Sequence, residues 1–218
     1  YKAGKVNGYR VGWKKDGTTW REEFYTDNHF NGHRTEWFED GTKLKKQHFK
    51  DNQLNGLSVF YYKDGTKWWE EYYKDGKVNG HRAEWFEDGT KRKEEYYKDN
   101  QLNGVSTIYY KDGTKKMETH YKDEQYHGLK AEWFEDGTKR KEQHFKNGKK
   151  DGLEIRWYHN GNKRNEKYYK DGIENGLRTL YREDGTKLKE QHLKDDQLNG
   201  LTVLYYKDGT KRMEEYYK

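Results

Sequence analysis

Apolar and polar residues alternate along this chain in short runs, and pairs of turn-forming residues separate the runs. In Leu57-Ser58-Val59-Phe60-Tyr61-Tyr62-Lys63 the odd places carry Leu57, Val59 and Tyr61. A period of two predicts β-strands with one more apolar face. A helical period does not persist anywhere, because a turn pair interrupts the pattern about every dozen residues.

The turn pairs recur every 24 residues without insertion or deletion. Asp-Gly or Asn-Gly falls at Asp16-Gly17 and at each step of 24 up to Asp208-Gly209, and a second set of turn pairs includes Asp27-Asn28, Asp51-Asn52 and Asp75-Gly76. Both sets favour hairpin turns. A third set, which we expect to mark a bulge or a corner inside a strand, lies at 7–8, 31–32, 55–56, 79–80, 103–104, 175–176 and 199–200 as Asn-Gly, with equivalents at 127–128 and 151–152.

Positions 24 residues apart form columns, and one column is aromatic in all nine units. It contains Trp13, Trp37, Tyr61, Trp85, Tyr109, Trp133, Trp157, Tyr181 and Tyr205. We expect these rings to share one side of the sheet and to lean on one another, forming a structural aromatic column. A second column ends the other strand of each unit with Tyr25, Phe49, Tyr73, Tyr97, Tyr121, Phe145, Tyr169, Leu193 and Tyr217.

One unit does not bury enough apolar surface to fold alone. Ordering its residues costs roughly 1.5 kcal/mol each, whereas a buried aromatic or aliphatic side chain recovers only about 1.5–3 kcal/mol. Neighbouring units must supply the remaining contacts. The sequence therefore predicts an all-β fold, an elongated twisted antiparallel sheet of eighteen strands built from nine 24-residue hairpin repeats, with residues 1–218 as a single array.

Composition limits the chemistry. Charged residues make up 39% and aromatic residues 17% of the chain, so ordered repeats are favoured over disorder. The net charge of +6 comes from interleaved signs, which makes a nucleic-acid partner unlikely. Cysteine is absent, which excludes disulfides and thiolate sites. No apolar run is long enough for a transmembrane helix, and both an exported and a cytoplasmic location stay open.

The phrase Tyr73-Lys74-Asp75-Gly76-Lys77-Val78-Asn79-Gly80, followed by Glu84 to Lys91, resembles the MORN repeat. The resemblance extends over all nine units and is closest to the bacterial variant found in antitoxin-like and exported proteins. It implies a meander of hairpins and a role in binding or scaffolding. It also implies that catalytic residues are absent and that partners are proteins, anionic phospholipids or a toxin.

Two sets of residues are candidates for binding. Phe38, Tyr62, Phe86, Tyr110, Phe134, Tyr158 and Tyr206 lie opposite the aromatic column, either as an exposed stripe that marks an interface or as a covered face. A lysine column runs through Lys43, Lys67, Lys91, Lys115, Lys139, Lys163, Lys187 and Lys211, flanked by Arg92 and Arg140. It is either a strip for anionic lipid or acidic protein, or a solvated row that the glutamates three residues further on neutralise; the second is favoured.

Catalytic and metal sites have little support in the sequence. Ser58 and Ser106 are the only serines and share one column, which indicates packing. His48, His120, His144 and His192 share a column with Phe24, Tyr72, Tyr96, Tyr168 and Tyr216, so ring stacking is favoured over metal binding. We expect no cofactor and no metal.

The sequence thus favours a non-enzymatic scaffold that binds other proteins. Three alternatives stay open: an antitoxin or immunity protein, a self-assembling filament, and peripheral binding to anionic phospholipid. Self-assembly is considered because Tyr217-Lys218 repeats the phase of Tyr1-Lys2, which leaves no atypical capping unit.

Overall fold

A computed structural model describes residues 4–218; Tyr1 and Lys2 lie outside the described residues. Every regular element in this range is a β-strand, and neighbouring strands of each hairpin pair antiparallel. Residues 4–218 contain no helix that could cross a membrane. The prediction of an all-β antiparallel succession of hairpins is confirmed.

The chain divides into two compact units. Unit 1 comprises the described residues up to Gly104 together with Lys111–Gly113, and unit 2 comprises Val105–Tyr110 and Thr114–Lys218. The single array over 1–218 therefore stays a prediction.

The strands of unit 1 follow one another in hairpins. They are β1 (Gly8–Trp13), β2 (Thr19–Thr26), β3 (His29–Trp37), β4 (Lys43–Lys50), β5 (Gln53–Leu54), β6 (Gly56–Tyr61), β7 (Lys67–Lys74), β8 (Lys77–Trp85), β9 (Lys91–Lys98) and β10 (Gln101–Leu102).

The strands of unit 2 repeat the same alternation. They are β11 (Gly104–Tyr109, in unit 2 from Val105), β12 (Lys115–Lys122), β13 (Gln125–Trp133), β14 (Lys139–Lys146), β15 (Lys149–Trp157), β16 (Lys163–Lys170), β17 (Ile173–Glu174), β18 (Gly176–Tyr181), β19 (Lys187–Lys194), β20 (Gln197–Tyr205) and β21 (Lys211–Tyr217). The structure has more than the eighteen predicted strands because three of them are interrupted at Asn55, Asn103 and Asn175.

The two sets of hairpin turns have different geometries. In the turn between β2 and β3, Asp27 and Asn28 both have positive φ, 51° and 68°, as a type I′ turn requires. Between β3 and β4, Gly41 donates to the Phe38 carbonyl at 3.2 Å, and Asp40 accepts from the Thr42 amide at 3.0 Å. Both predicted sets of turns are confirmed, and the Asp side chain explains why Asp precedes Gly in the set that begins at Asp16-Gly17.

The Asn-Gly pairs at 31–32, 79–80 and 199–200 lie inside strands, as expected for a bulge, and those at 55–56, 103–104 and 175–176 lie where a strand is interrupted. Opposite the pair in β8, the register shifts between Glu71 and Tyr73. Gly80 there has φ +123°, and a Cβ on it would lie 3.3 Å from the Tyr72 Cβ. Both the backbone angle and this close approach require glycine.

Within unit 1, hydrogen bonds tie type I′ turns to the preceding hairpin. The Asn100 amide donates to the Val78 carbonyl at 2.8 Å, and the Val78 amide donates to the Asn100 side-chain oxygen at 2.7 Å. Asn79, of the Asn-Gly pair, donates to Asp99 of the same turn at 3.3 Å. A hairpin therefore depends on its neighbour for hydrogen bonds to its backbone groups as well as for packing.

The apolar core is narrow and lies at the centre and at one end of the strands. At the centre, Val59, Ala83, Ala131 and Val203 are buried. At the turn end, Phe30 is buried between Tyr25 and Phe49, with ring centroids 5.4 Å and 4.1 Å away. These rings pack against one another across successive strands, which is the contact we had expected of the structural aromatic column.

Candidate binding surface

The two faces of each sheet are best told apart by their central residues. Face A carries Glu71 and Arg82, and face B carries Val59 and Ala83. Since side chains alternate along a strand, the other residues follow from these by steps of two, apart from the bulges. Both faces are buried along their centre, although only face B is apolar there.

A polar row runs along the centre of face A in unit 1. Cross-strand neighbours place Glu23 beside Arg34, and Glu71 beside both Ser58 and Arg82. Glu23 is 2% exposed and pairs with Arg34 at 2.7 Å and with Arg21. Burial tends to raise the Glu23 pKa, but the hydrogen bonds from Arg21 and Arg34 outweigh it and hold that pKa below its ordinary value.

Unit 2 has a polar row of its own, with different residues in the same columns, and the face that carries it is called face A of unit 2. Glu154 is fully buried and accepts from Arg156 at 2.9 Å and from Lys150 at 3.2 Å. Its pKa is lowered, because the attraction of Lys141, Lys150 and Arg156 exceeds the cost of burial. The sequence analysis missed this row, since its column is chemically mixed and contains Arg34, Ser58, Arg82, Ser106, Lys130, Glu154, Arg178 and Thr202.

The structural aromatic column lies on face B near the strand ends, and lysines separate its rings. Lys43 lies over Tyr61 at 5.8 Å, and Lys67 lies over Trp85 at 5.4 Å. The members are half-buried except for Trp13, which is 63% exposed. Cations therefore occupy the gaps in which direct ring stacking was expected.

The lysine column is paired along its length. Seven of its members contact the glutamate three residues further on, at 2.5–2.9 Å: Lys67, Lys91, Lys115, Lys139, Lys163, Lys187 and Lys211. These contacts match the interpretation favoured from the sequence, a solvated row with its charge neutralised. Such exposed pairs add little stability, typically about 0–1 kcal/mol each.

The predicted aromatic stripe opposite the structural aromatic column is largely covered. Phe38, Tyr62, Phe86, Tyr110, Phe134 and Tyr158 are half-buried, and Tyr206 is exposed. The hydroxyls of Tyr62, Tyr110 and Tyr158 each donate to a carbonyl of the next hairpin, at Trp85, Trp133 and Tyr181, over 2.9–3.0 Å. Within each compact unit, these side chains link neighbouring hairpins at the edge formed by the turns.

Basic side chains cover several rings of this stripe. Lys116, Arg140, Arg164 and Arg212 lie over Tyr110, Phe134, Tyr158 and Tyr206 at 5.3–5.9 Å in unit 2. In unit 1, Arg92 lies over Phe86 at 5.8 Å and also pairs with Glu84 at 2.9 Å. In the same column, Trp20 and Trp68 replace the cations and are exposed.

Exposed aromatic rings occur at positions for which the sequence suggested only stacking. Tyr72 and Tyr96 on face B of unit 1 are 43% and 46% exposed, and Tyr168 of unit 2 is 47% exposed. These tyrosines belong to the column that contains the histidines. His48 belongs to this column and packs edge-on against His33 of the neighbouring strand, with ring centroids 4.1 Å apart. Residues 4–218 contain no group of three metal-ligating side chains.

Comparison with known protein families identifies a repeat in three segments of the chain. The MORN repeat variant matches residues 30–51, 102–123 and 150–171. Each matched segment begins just after one type I′ turn and ends in the next, so it corresponds to one hairpin of the array. Three hairpins of this all-β repeat fold are therefore similar to the MORN repeat variant, whose family is generally non-enzymatic.

Solved structures include distant likenesses. One is the wild-type TCP10 domain of Danio rerio CPAP in complex with a peptide of Danio rerio STIL, with 17% sequence identity and a TM-score of 0.35, over 96% of this chain and 100% of that one. Among curated proteins, no significant match is found.

Proposed function

We propose that this chain is a non-enzymatic MORN-like repeat scaffold that binds other proteins. The observation that carries the proposal is a set of large rings exposed on strands of unit 1. Trp20, Trp68, Tyr72 and Tyr96 are 40–46% exposed. Tryptophan and tyrosine are the residues that most often dominate the energetics of protein interfaces.

The scaffold presents these rings with little freedom to lose on binding. They stand on β2, β7 and β9 rather than on loops. Trp20 and Trp68 lie beside the polar row of face A, and Tyr72 and Tyr96 lie on face B; the polar row and the clamps between hairpins hold these strands in place. A preorganised aromatic surface is favourable for binding because less conformational entropy is lost when the partner docks.

The titratable groups with shifted pKa values are engaged in structural pairs, which supports a non-enzymatic role. Burial and the hydrogen bond to Glu71 raise the Tyr73 pKa. Burial tends to raise the Glu174 pKa, but Arg178 and Lys167 outweigh it and hold that pKa low. A general acid or base would need a reactive atom directed at a substrate. These carboxylates are instead directed at neighbouring arginine and lysine side chains.

Among the alternatives, an antitoxin would be one particular case of a protein binder. Lipid binding through the lysine column receives less support, because Lys67, Lys91 and their equivalents already have glutamate partners. A bacterial origin and self-assembly into a filament remain predictions from the sequence, and both an exported and a cytoplasmic location stay open.

A capture experiment tests the proposal. The full chain is immobilised, and proteins from native extract are compared between wild type and a variant with Trp68→Ser, Tyr72→Ser and Tyr96→Ser. A matched control replaces the exposed residues Lys74 and Lys98 with serine. We expect a specific protein to bind wild type and control, and its purified form to bind the aromatic variant at least about tenfold more weakly.

Two results would contradict the proposal. One is that no protein is retained by the wild type at physiological salt. The other is that the aromatic variant retains the same protein with unchanged affinity. Light scattering of the free chain at increasing concentration separates partner binding from self-association.

A further inference from the structure

A basic cleft opens on face A of unit 2, near the turn ends of β14 and β15. Its volume is about 430 Å³, and its charged lining consists of Arg140, Lys141, Arg156, Arg164 and Glu132. Four cations thus face one carboxylate within a single depression of the sheet.

Two of these cations are direct cross-strand neighbours. Lys141 in β14 lies opposite Arg156 in β15. The equivalent places elsewhere hold opposite or neutral partners, such as Arg21 opposite Glu36 and Met117 opposite Glu132. Like charges directly opposite on one face destabilise a sheet. The pair is therefore costly for folding and favourable for an anion.

The charges beneath the cleft do not balance it. Glu154 is the nearest buried carboxylate, and it is shared by Arg156 at 2.9 Å, Lys150 at 3.2 Å and Lys141 at 3.8 Å. Burial lowers the Lys141 pKa, and Arg156 and Lys150 lower it further, while Glu154 and Glu132 act in the opposite direction. Glu132 lies opposite Lys141 on its other side. Glu132 and Glu154 together still leave a positive surplus, because Arg140, Arg156, Arg164, Lys141 and Lys150 surround them.

The arginines at the rim are available to a ligand. Arg140 and Arg164 lie over Phe134 and Tyr158, each at 5.9 Å, and neither forms an ion pair within residues 4–218. Arg92 stands in the same column and in the same local sequence, since Glu84 to Glu94 and Glu132 to Glu142 are identical. Arg92 differs because Glu84 neutralises it at 2.9 Å.

We propose that this cleft binds an acidic segment of a protein partner, whose carboxylates contact Arg140, Lys141, Arg156 and Arg164. Guanidinium groups suit this ligand because they bind carboxylates through two parallel hydrogen bonds. Arg140 and Arg164 stand two strands apart, which is roughly 10 Å. In a peptide with polyproline II conformation, carboxylates three residues apart lie on the same side and about 9 Å apart. The assignment rests on the proposed function as a protein-binding scaffold.

Other anions fit the cleft less well. Bases of nucleic acid need open ring faces for stacking, whereas the faces of Phe134 and Tyr158 are covered by guanidinium groups. A flat lipid surface does not reach the Lys141 side chain, which is only 22% exposed. The side chains of a single extended peptide can enter such a depression.

The test uses the full chain and a fluorescent peptide with glutamate at every third position, followed by fluorescence anisotropy at physiological salt. Arg140→Gln combined with Arg164→Gln is expected to weaken binding at least about tenfold, since each hydrogen bond to a charged group is worth about 1.5–3 kcal/mol. Arg92→Gln, the matched control, should change binding by less than about twofold, since Glu84 already engages that arginine. Lys141→Met introduces the side chain that Met117 has at the equivalent place. This variant should bind the peptide more weakly and should not have a lower melting temperature than the wild type.

The inference is overturned if the glutamine analogue of the peptide binds equally well, or if Arg92→Gln weakens binding as much as the double variant. It is also overturned if vesicles of anionic lipid or single-stranded nucleic acid bind through Arg140 and Arg164 and the peptide does not compete. If the wild type does not bind the peptide but still shows aromatic-dependent capture, the cleft alone is rejected. If the wild type shows no such capture, the scaffold proposal is rejected instead.

Discussion

Replacing Glu154 with alanine is the sharpest test of how the fold is held together. Glu154 is fully buried, and its carboxylate serves Arg156, Lys150 and Lys141, whose side chains are 46%, 33% and 22% exposed. Removing one partner of a fully buried ion pair costs about 3–5 kcal/mol. Because water reaches all three cations in part, we expect a smaller loss of about 2–4 kcal/mol.

Urea unfolding followed by tryptophan fluorescence measures this loss, and thermal unfolding gives a second value. A loss of that size corresponds to a fall in melting temperature of roughly 4–16 °C in a chain of this length. Thr202→Val is the matched control, because Thr202 occupies the same column and its buried hydroxyl has no hydrogen-bond partner within the described chain. That variant should be neutral or stabilising by up to about 1 kcal/mol.

The stabilisation of the fold by Glu154 should also depend on pH. The Glu154 pKa is lower in the folded protein than in the unfolded chain, so its stabilisation is present above about pH 4.3 and is lost as the pH falls through the folded value. The difference in free energy of unfolding between wild type and Glu154→Ala should therefore become smaller at acidic pH. If Glu154→Ala unfolds within about 0.5 kcal/mol of wild type at neutral pH, the polar row does not stabilise the fold as argued.

Two further substitutions test the contacts between hairpins. Gly80→Ala should lower the free energy of unfolding by about 2–4 kcal/mol, because φ is unfavourable and the new Cβ would lie 3.3 Å from the Tyr72 Cβ. Gly89→Ala, where a Cβ would have nothing within 4 Å, should lower it by only about 1 kcal/mol. Equal decreases of the two variants in urea unfolding would reject the close-approach argument. Tyr62→Phe removes the hydroxyl that donates to the Trp85 carbonyl at 2.9 Å and should cost about 0.5–1.5 kcal/mol by thermal unfolding, and no change would mean that the edge bond is dispensable.

The sequence alone was sufficient for the strands, the turns and the repeat frame. Asp-Gly, Asn-Gly and Asp-Asn pairs have local backbone preferences, so their meaning does not depend on distant contacts. Asp27-Asn28 forms the type I′ turn that its composition indicates, and Gly80 occupies a bulge that only glycine fits. The lysine–glutamate pairs three residues apart, such as Lys67–Glu70, were also visible because both partners lie on one strand.

The buried partners were decided only by the tertiary structure. Glu23 meets Arg34, and Glu154 meets Arg156 and Lys150, because strand register brings those columns together on face A. A column that mixes arginine, serine, lysine and glutamate shows no hydrophobic signal, so its burial cannot be read from the pattern of one strand. Phe30 could have been found earlier, since the residue before each Asn-Gly pair is apolar in most units. The difference is physical: turns and alternation are local properties of the backbone, whereas burying a charge depends on which opposite charge the neighbouring strand supplies.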